Sequence, residues 1–106
     1  MQKEKMKNNQ LIKCYHVSRI KNRESILKNG LIPQDSKVMK YTNRLFFSID
    51  KNTLGFDYVD YENVDVWSFF LPKKQMIIDD KSWADCFYYT SEKIPADKIK
   101  LEETII

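Results

Sequence analysis

The segment that most constrains this chain is a short helix with a defined end, Asn22-Arg23-Glu24-Ser25-Ile26-Leu27-Lys28-Asn29, closed by Gly30-Leu31-Ile32-Pro33. Glycine enters the left-handed region that stops a helix without steric cost, an apolar residue after it folds back on the last turn, and proline forbids continuation. Ile20, Ile26 and Leu27 supply the buried stripe, and Ser18 or Asn22 can cap the start. Directly before it, Leu11 to His16 has the β-branched and aromatic character of a strand. A strand that ends in the chain's single histidine and runs into a helix places one imidazole where the helix packs back over it.

The remaining pattern is mostly strand. Gln34 to Asn43 reads as a polar connection, and Leu45 to Ile49 as a strand running beside the first. Its Phe46 and Phe47 alternate, one toward the core and one toward a cleft. From Lys51 to Tyr61 the periodicity is mixed, as in a short helix or irregular loop. Val64 to Leu71 is almost continuously apolar, as a central strand buried on both faces requires, and Pro72 ends it. Gln75 to Ile78, Trp83 to Thr90 and Lys98 to Leu101 read as further strands, with Asp79 to Ser82 a turn and Glu102 to Ile106 a tail. One good helix with five or six short strands gives an α+β class. Residues 1–10 form a polar arm without an apolar signal-peptide core, and residues 11–106 form one domain, expected in the cytoplasm.

Composition narrows the function classes. At 106 residues the chain can bury roughly 60 to 70% of its unfolded surface, so a core needs no staples. No apolar stretch approaches the roughly 20 residues that cross a bilayer. Cys14 and Cys86 both fall in expected strands, read as small buried hydrophobes, and no Cys/His pair has metal-ligand spacing, so neither a disulfide nor a metal is expected. The net charge of +3 is unevenly spread. Lys3, Lys5, Lys7 and Lys13 crowd the start, whereas Asp57, Asp60, Glu62 and Asp65 follow one another without a Lys or Arg between them. No helix-turn-helix, RNP or zinc-finger pattern accompanies these charges, which leaves nucleic acid a minor alternative as partner.

Three elements in order resemble the ADP-ribosyltransferase superfamily, in its His-Tyr-Glu branch of diphtheria toxin and the poly(ADP-ribose) polymerases. The first is His16-Val17-Ser18 followed by the Asn-x-x-x-Ile-Leu-x-x-Gly-Leu helix of Asn22 to Leu31. The second is Phe46-Phe47-Ser48, with Phe46 where the family has tyrosine. Thr53 and Phe56 stand where relatives place a Ser and, three residues on, a ring-stacking Tyr. The third is Asp85, before Cys86-Phe87-Tyr88-Tyr89-Thr90, where the family has glutamate. Ile94-Pro95-Ala96-Asp97-Lys98-Ile99 is similar to the family's proline-containing link to a last strand.

The resemblance spans about residues 11 to 101 and implies split antiparallel sheets with one main N-terminal helix, NAD as co-substrate, and transfer of ADP-ribose to a macromolecule, expected to be a protein. His16 would bond an adenosine-side ribose hydroxyl, the Val17 main chain and Ser18 would belong to the cofactor pocket, and Phe46 and Phe56 would sandwich the nicotinamide, with Thr53 on its carboxamide. Asp85 would hold the nicotinamide-ribose 2′-hydroxyl and favour the charge growing at the anomeric carbon. Glu92 is the rival acid, and Asp79-Asp80 reads as turn chemistry. The resemblance extends to small phage-encoded transferases that disable bacterial defence proteins. Two alternatives remain open: a binding protein on the same fold that inhibits its partner stoichiometrically, through Asp57 to Asp65 or through Tyr58 and Tyr61, and a 2′-phosphate-processing or DNA-modifying relative using Arg19, Arg23 and Arg44.

Overall fold

A computed structural model describes residues 10–54, 63–79 and 86–106. Its main helix, α1 (Arg23–Asn29), follows a single turn of 3-10 helix at Ile20–Asn22. The strands are β1 (Leu11–Arg19), β2 (Gln34–Ser36), β3 (Tyr41–Ser48), β4 (Val64–Pro72), β5 (Ile77–Ile78), β6 (Phe87–Thr90) and β7 (Lys100–Ile105). All pairings are antiparallel, in the order β5-β6-β3-β1-β4-β7, and β2 pairs with β3 off that path. The class is α+β, and among the described residues no helix is long and apolar enough to cross a membrane.

The glycine stop at the end of α1 is tighter than a cap alone. Gly30 has φ 81° and donates to Ile26 O at 2.8 Å, and a Cβ there would meet Ile94 O at 2.1 Å. Leu31 and Ile94 then exchange both main-chain hydrogen bonds at 2.9 Å, pinning the helix end to the segment before β7. Of the expected stripe only Ile26 is buried, whereas Leu27 is exposed, because a helix of two turns offers the sheet one narrow contact. Neither Ser18 nor Asn22 caps the helix through its side chain.

Cross-strand partners share a face of the sheet. Cys14, His16 and Ser18 stand opposite Phe69, Trp67 and Asp65 in the unbroken β1–β4 ladder, and this face carries the core with Leu31, Leu45, Phe47, Leu71 and Ile94. β4 is buried on both faces along most of its length, as its apolar run requires. Phe47 is buried edge-on against Phe69 at 5.6 Å, whereas Phe46 is only partly buried.

Four expectations are corrected here. β1 runs on past His16 to Arg19, so the imidazole stands inside the strand, and the described strands form one continuous sheet in place of split sheets. The polar connection Gln34 to Asn43 contains β2, which folds onto β3 with a register shift between Gln34 and Ser36. The expected tail is strand: β7 runs to Ile105 and pairs with Val64 to Ser68 through a bulge at Val66/Trp67. Glu102 is therefore anchored, accepting from Ser68 Oγ at 2.6 Å and pairing with Lys13 Nζ at 3.1 Å.

Candidate functional site

The strands that carry the three sequence elements are consecutive neighbours: β1 lies beside β3, and β3 beside β6. Their two junctions differ. β3 and β6 are zipped through four pairs, Leu45↔Thr90 to Ser48↔Phe87, whereas β1 and β3 share the single pair Tyr15↔Ser48. Continuing that register sets Val17 across from Phe46, where no ladder pair forms. The seam is closed there by a side chain, because His16 Nδ1 lies 2.7 Å from the Phe46 carbonyl oxygen.

This contact fixes the tautomer. A carbonyl oxygen only accepts, so Nδ1 carries the proton and donates, and the neutral ring presents an unprotonated acceptor at Nε2. Burial holds the imidazole pKa below its ordinary 6.5, only partly offset by the bond to Phe46. A partly buried, neutral His with one nitrogen fixed is suited to accept a ligand hydroxyl through the other.

The Phe46 ring is not in that bond. It packs edge-on against Tyr41 at 5.0 Å and tilted against Tyr89 at 5.7 Å, while Arg44 lies 4.2 Å above the Tyr89 ring and 5.7 Å from Tyr41. By strand alternation Arg44 and Phe46 leave β3 on the face opposite Phe47, and Tyr89 shares that face as the cross-strand partner of Phe46. His16 and Phe46 are thus joined through main chain across the seam, and the ring belongs to a neighbouring aromatic cluster.

The other expected site residues have definite surroundings or none to report. Ser18 is buried, and its Oγ accepts from Trp67 Nε1 at 2.8 Å, which commits one of its lone pairs to the core. Thr53 closes a turn after β3, donating its amide to Asp50 O at 3.0 Å and its hydroxyl to Asp50 Oδ2 at 3.1 Å. Phe56 and Asp85 lie outside the described residues, as do Asp57, Tyr58, Asp60, Tyr61, Glu62 and Asp80. Glu92 is exposed, just beyond β6. Cys14 and Cys86 are free thiols, and burial pushes the Cys14 thiol up to about 12. Among the described residues no group of three His, Cys, Asp or Glu side chains could hold a metal ion.

The charge pattern read from sequence is reassigned at two positions. Asp65 is fully buried and grips Arg23 in a fork, Nε to Oδ2 at 2.9 Å and Nη2 to Oδ1 at 2.7 Å, with the Thr104 hydroxyl donating to Oδ1 at 2.8 Å. The Arg23 guanidinium holds the Asp65 carboxyl below its usual value. Asp65 is therefore no part of an acidic surface, and Arg23 is held by a carboxylate in place of a ligand phosphate. The motif residue that opens the helix thereby fastens it to β4 and β7. Sequence gave no pairing signal for these residues, since 42 positions separate them.

Comparison of the chain with protein-family models, with curated proteins and with solved structures returns no match.

Proposed function

We propose that this protein is an NAD-dependent ADP-ribosyltransferase acting on a macromolecule, with a protein as acceptor. The observation that carries the reading is the His16 imidazole bonded to the Phe46 carbonyl at 2.7 Å, which joins the first two motif elements across the seam and leaves Nε2 as an acceptor. In this reading Nε2 accepts the adenosine-side ribose hydroxyl and the Val17 main chain bonds the nicotinamide carboxamide. Phe56 forms the wall for the leaving group, while Phe46, whose ring leaves the sheet on the face opposite His16, contributes through its main-chain carbonyl. Asp85 bonds the nicotinamide-ribose 2′-hydroxyl and stabilises the oxocarbenium-like carbon as the glycosidic bond opens. The bond broken joins the anomeric carbon to nicotinamide, and the bond formed joins that carbon to a nucleophile of the acceptor.

The test is incubation with labelled NAD and cell lysate, comparing wild type with His16→Ala and Asp85→Ala. Label transferred by wild type and lost in both variants supports the reading. Absence of transfer together with absence of an NAD-dependent thermal shift overturns it.

A stoichiometric inhibitor on the same scaffold is the second reading, favoured by the packing of the Phe46 ring against Tyr41 and Tyr89. It requires a complex that survives Asp85→Ala and fails when Asp57, Asp60 and Glu62 are reversed in charge.

A further inference from the structure

We propose that Arg44 is a fixed fork for a phosphate group of a nucleotide, set on the aromatic cluster of Tyr41, Phe46 and Tyr89. The inference starts from what the three arginines do. Arg23 is held by Asp65, and Arg19 is exposed on β1. Arg44 is partly buried, with its guanidinium 4.2 Å over the Tyr89 ring and 5.7 Å from Tyr41, and among the described residues it makes no ion pair and no side-chain hydrogen bond.

Stacking engages the flat faces of a guanidinium and leaves its N–H donors in the plane, pointing past the ring edge. A guanidinium held against a ring, with no acceptor among the described residues, keeps its donors for a bidentate oxyanion, and part of the ordering entropy is already lost in the free protein. The acids of the flanking segments do not take this role. Asp35 accepts from the Asn43 amide at 2.7 Å, and Glu92 is exposed with its amide on Thr90 Oγ1.

One further feature favours a nucleotide phosphate over a simple carboxylate. Two rings, Tyr89 and Tyr41, lie against the guanidinium and Phe46 packs on both, so a phosphate joined to a base meets cation and aromatic surface together. The segments bordering the cluster carry the exposed Lys40 and Lys93 together with the exposed Asp35 and Glu92, so Arg44 leaves these segments net cationic.

The experiment needs neither NAD nor turnover, so it fails or succeeds independently of the transferase reading. The full chain is titrated calorimetrically with UMP, uridine, inorganic pyrophosphate, succinate and a short oligodeoxythymidylate. Binding of UMP and pyrophosphate, with uridine and succinate much weaker, is the expected result. Arg44→Lys keeps the charge but loses fork and stack, so UMP binding falls by about 10-fold or more, as it does in Arg44→Gln. A strand that binds more tightly than UMP at the Arg44-dependent site identifies nucleic acid as the phosphate source, and the reverse order identifies a free nucleotide. The proposal is overturned if uridine or succinate matches UMP, if Arg44→Lys binds UMP as wild type does, or if no phosphate ligand binds.

Discussion

Arg23 reaches both carboxylate oxygens of Asp65, at 2.9 and 2.7 Å, and its Nη2 also donates to the Thr104 hydroxyl at 3.1 Å. One side chain from the helix thereby holds β4 and the edge strand β7 in a single arrangement. A fully buried carboxylate left without its partner is costly, while replacing both partners with apolar groups of similar shape is tolerated. Arg23→Ala is expected to lower the thermal midpoint by at least about 5 °C, a shift typical of a modest destabilisation in a domain this small. Arg23→Met combined with Asp65→Leu is expected to recover part of that loss, as read by circular dichroism melting. Equal melting of Arg23→Ala and wild type would show that the pair contributes nothing.

Acid sensitivity follows in two separate windows. The Asp65 pKa lies below its ordinary 3.8 in the fold, so its contribution is complete above that value and is lost as pH falls through the folded pKa. The His16 pKa is likewise depressed, which for a base has the opposite consequence for charge. The unfolded chain takes up a proton near pH 6.5 while the folded one resists, so stability already falls as pH drops below 6.5. Melting between pH 8 and pH 5 is expected to decline in wild type and to stay flatter in His16→Gln. NMR titration of the imidazole checks the same shift directly, and a midpoint at or above 6.5 refutes it.

Ser18 and Trp67 give a test of the core. Ser18→Ala leaves the buried indole N–H without its acceptor, at a cost of about 1–3 kcal/mol. Trp67→Phe in the Ser18→Ala background removes the orphaned donor, so the double variant is expected to lose less than the two single changes summed. Strict additivity in denaturant melts would argue against the hydrogen bond.

Gly30→Ala combines a left-handed φ with a Cβ pressed into the Ile94 carbonyl, and is expected to cost about 1–3 kcal/mol or more. Hydrogen exchange at the Leu31 and Ile94 amides should accelerate with it, because those two bonds depend on the close approach. Unchanged exchange at both amides would place the strain elsewhere.

Thiol labelling separates the two cysteines. Cys14 is fully buried, with its pKa pushed up to about 12, whereas Cys86 is partly exposed. At pH 8 the native chain is expected to react rapidly at Cys86 alone and at both thiols after denaturation. Equal native rates would contradict the burial of Cys14.

What was legible in the sequence is local. The glycine stop of α1, the two-faced burial of β4 and the opposite facing of Phe46 and Phe47 each follow from neighbours within one element. β7 was misread because Glu102, Glu103 and Thr104 look like a polar tail until β4 supplies the partner. The bond from His16 to Phe46 depends on a place where a ladder fails to form, and failures of pairing leave no periodic trace. Arg23 carried the helix motif, yet only the folded chain reveals Asp65 as its partner.

With one ladder pair and one imidazole joining β1 to β3, the backbone of the sheet is in mechanical terms two plates riveted at two points, and the packing of Phe47 on Phe69 bridges them through the core. Each plate is laced internally by long registers, so bending concentrates along the join. Main-chain hydrogen bonding therefore resists bending least where Val17 faces Phe46, and there the side chains carry the load.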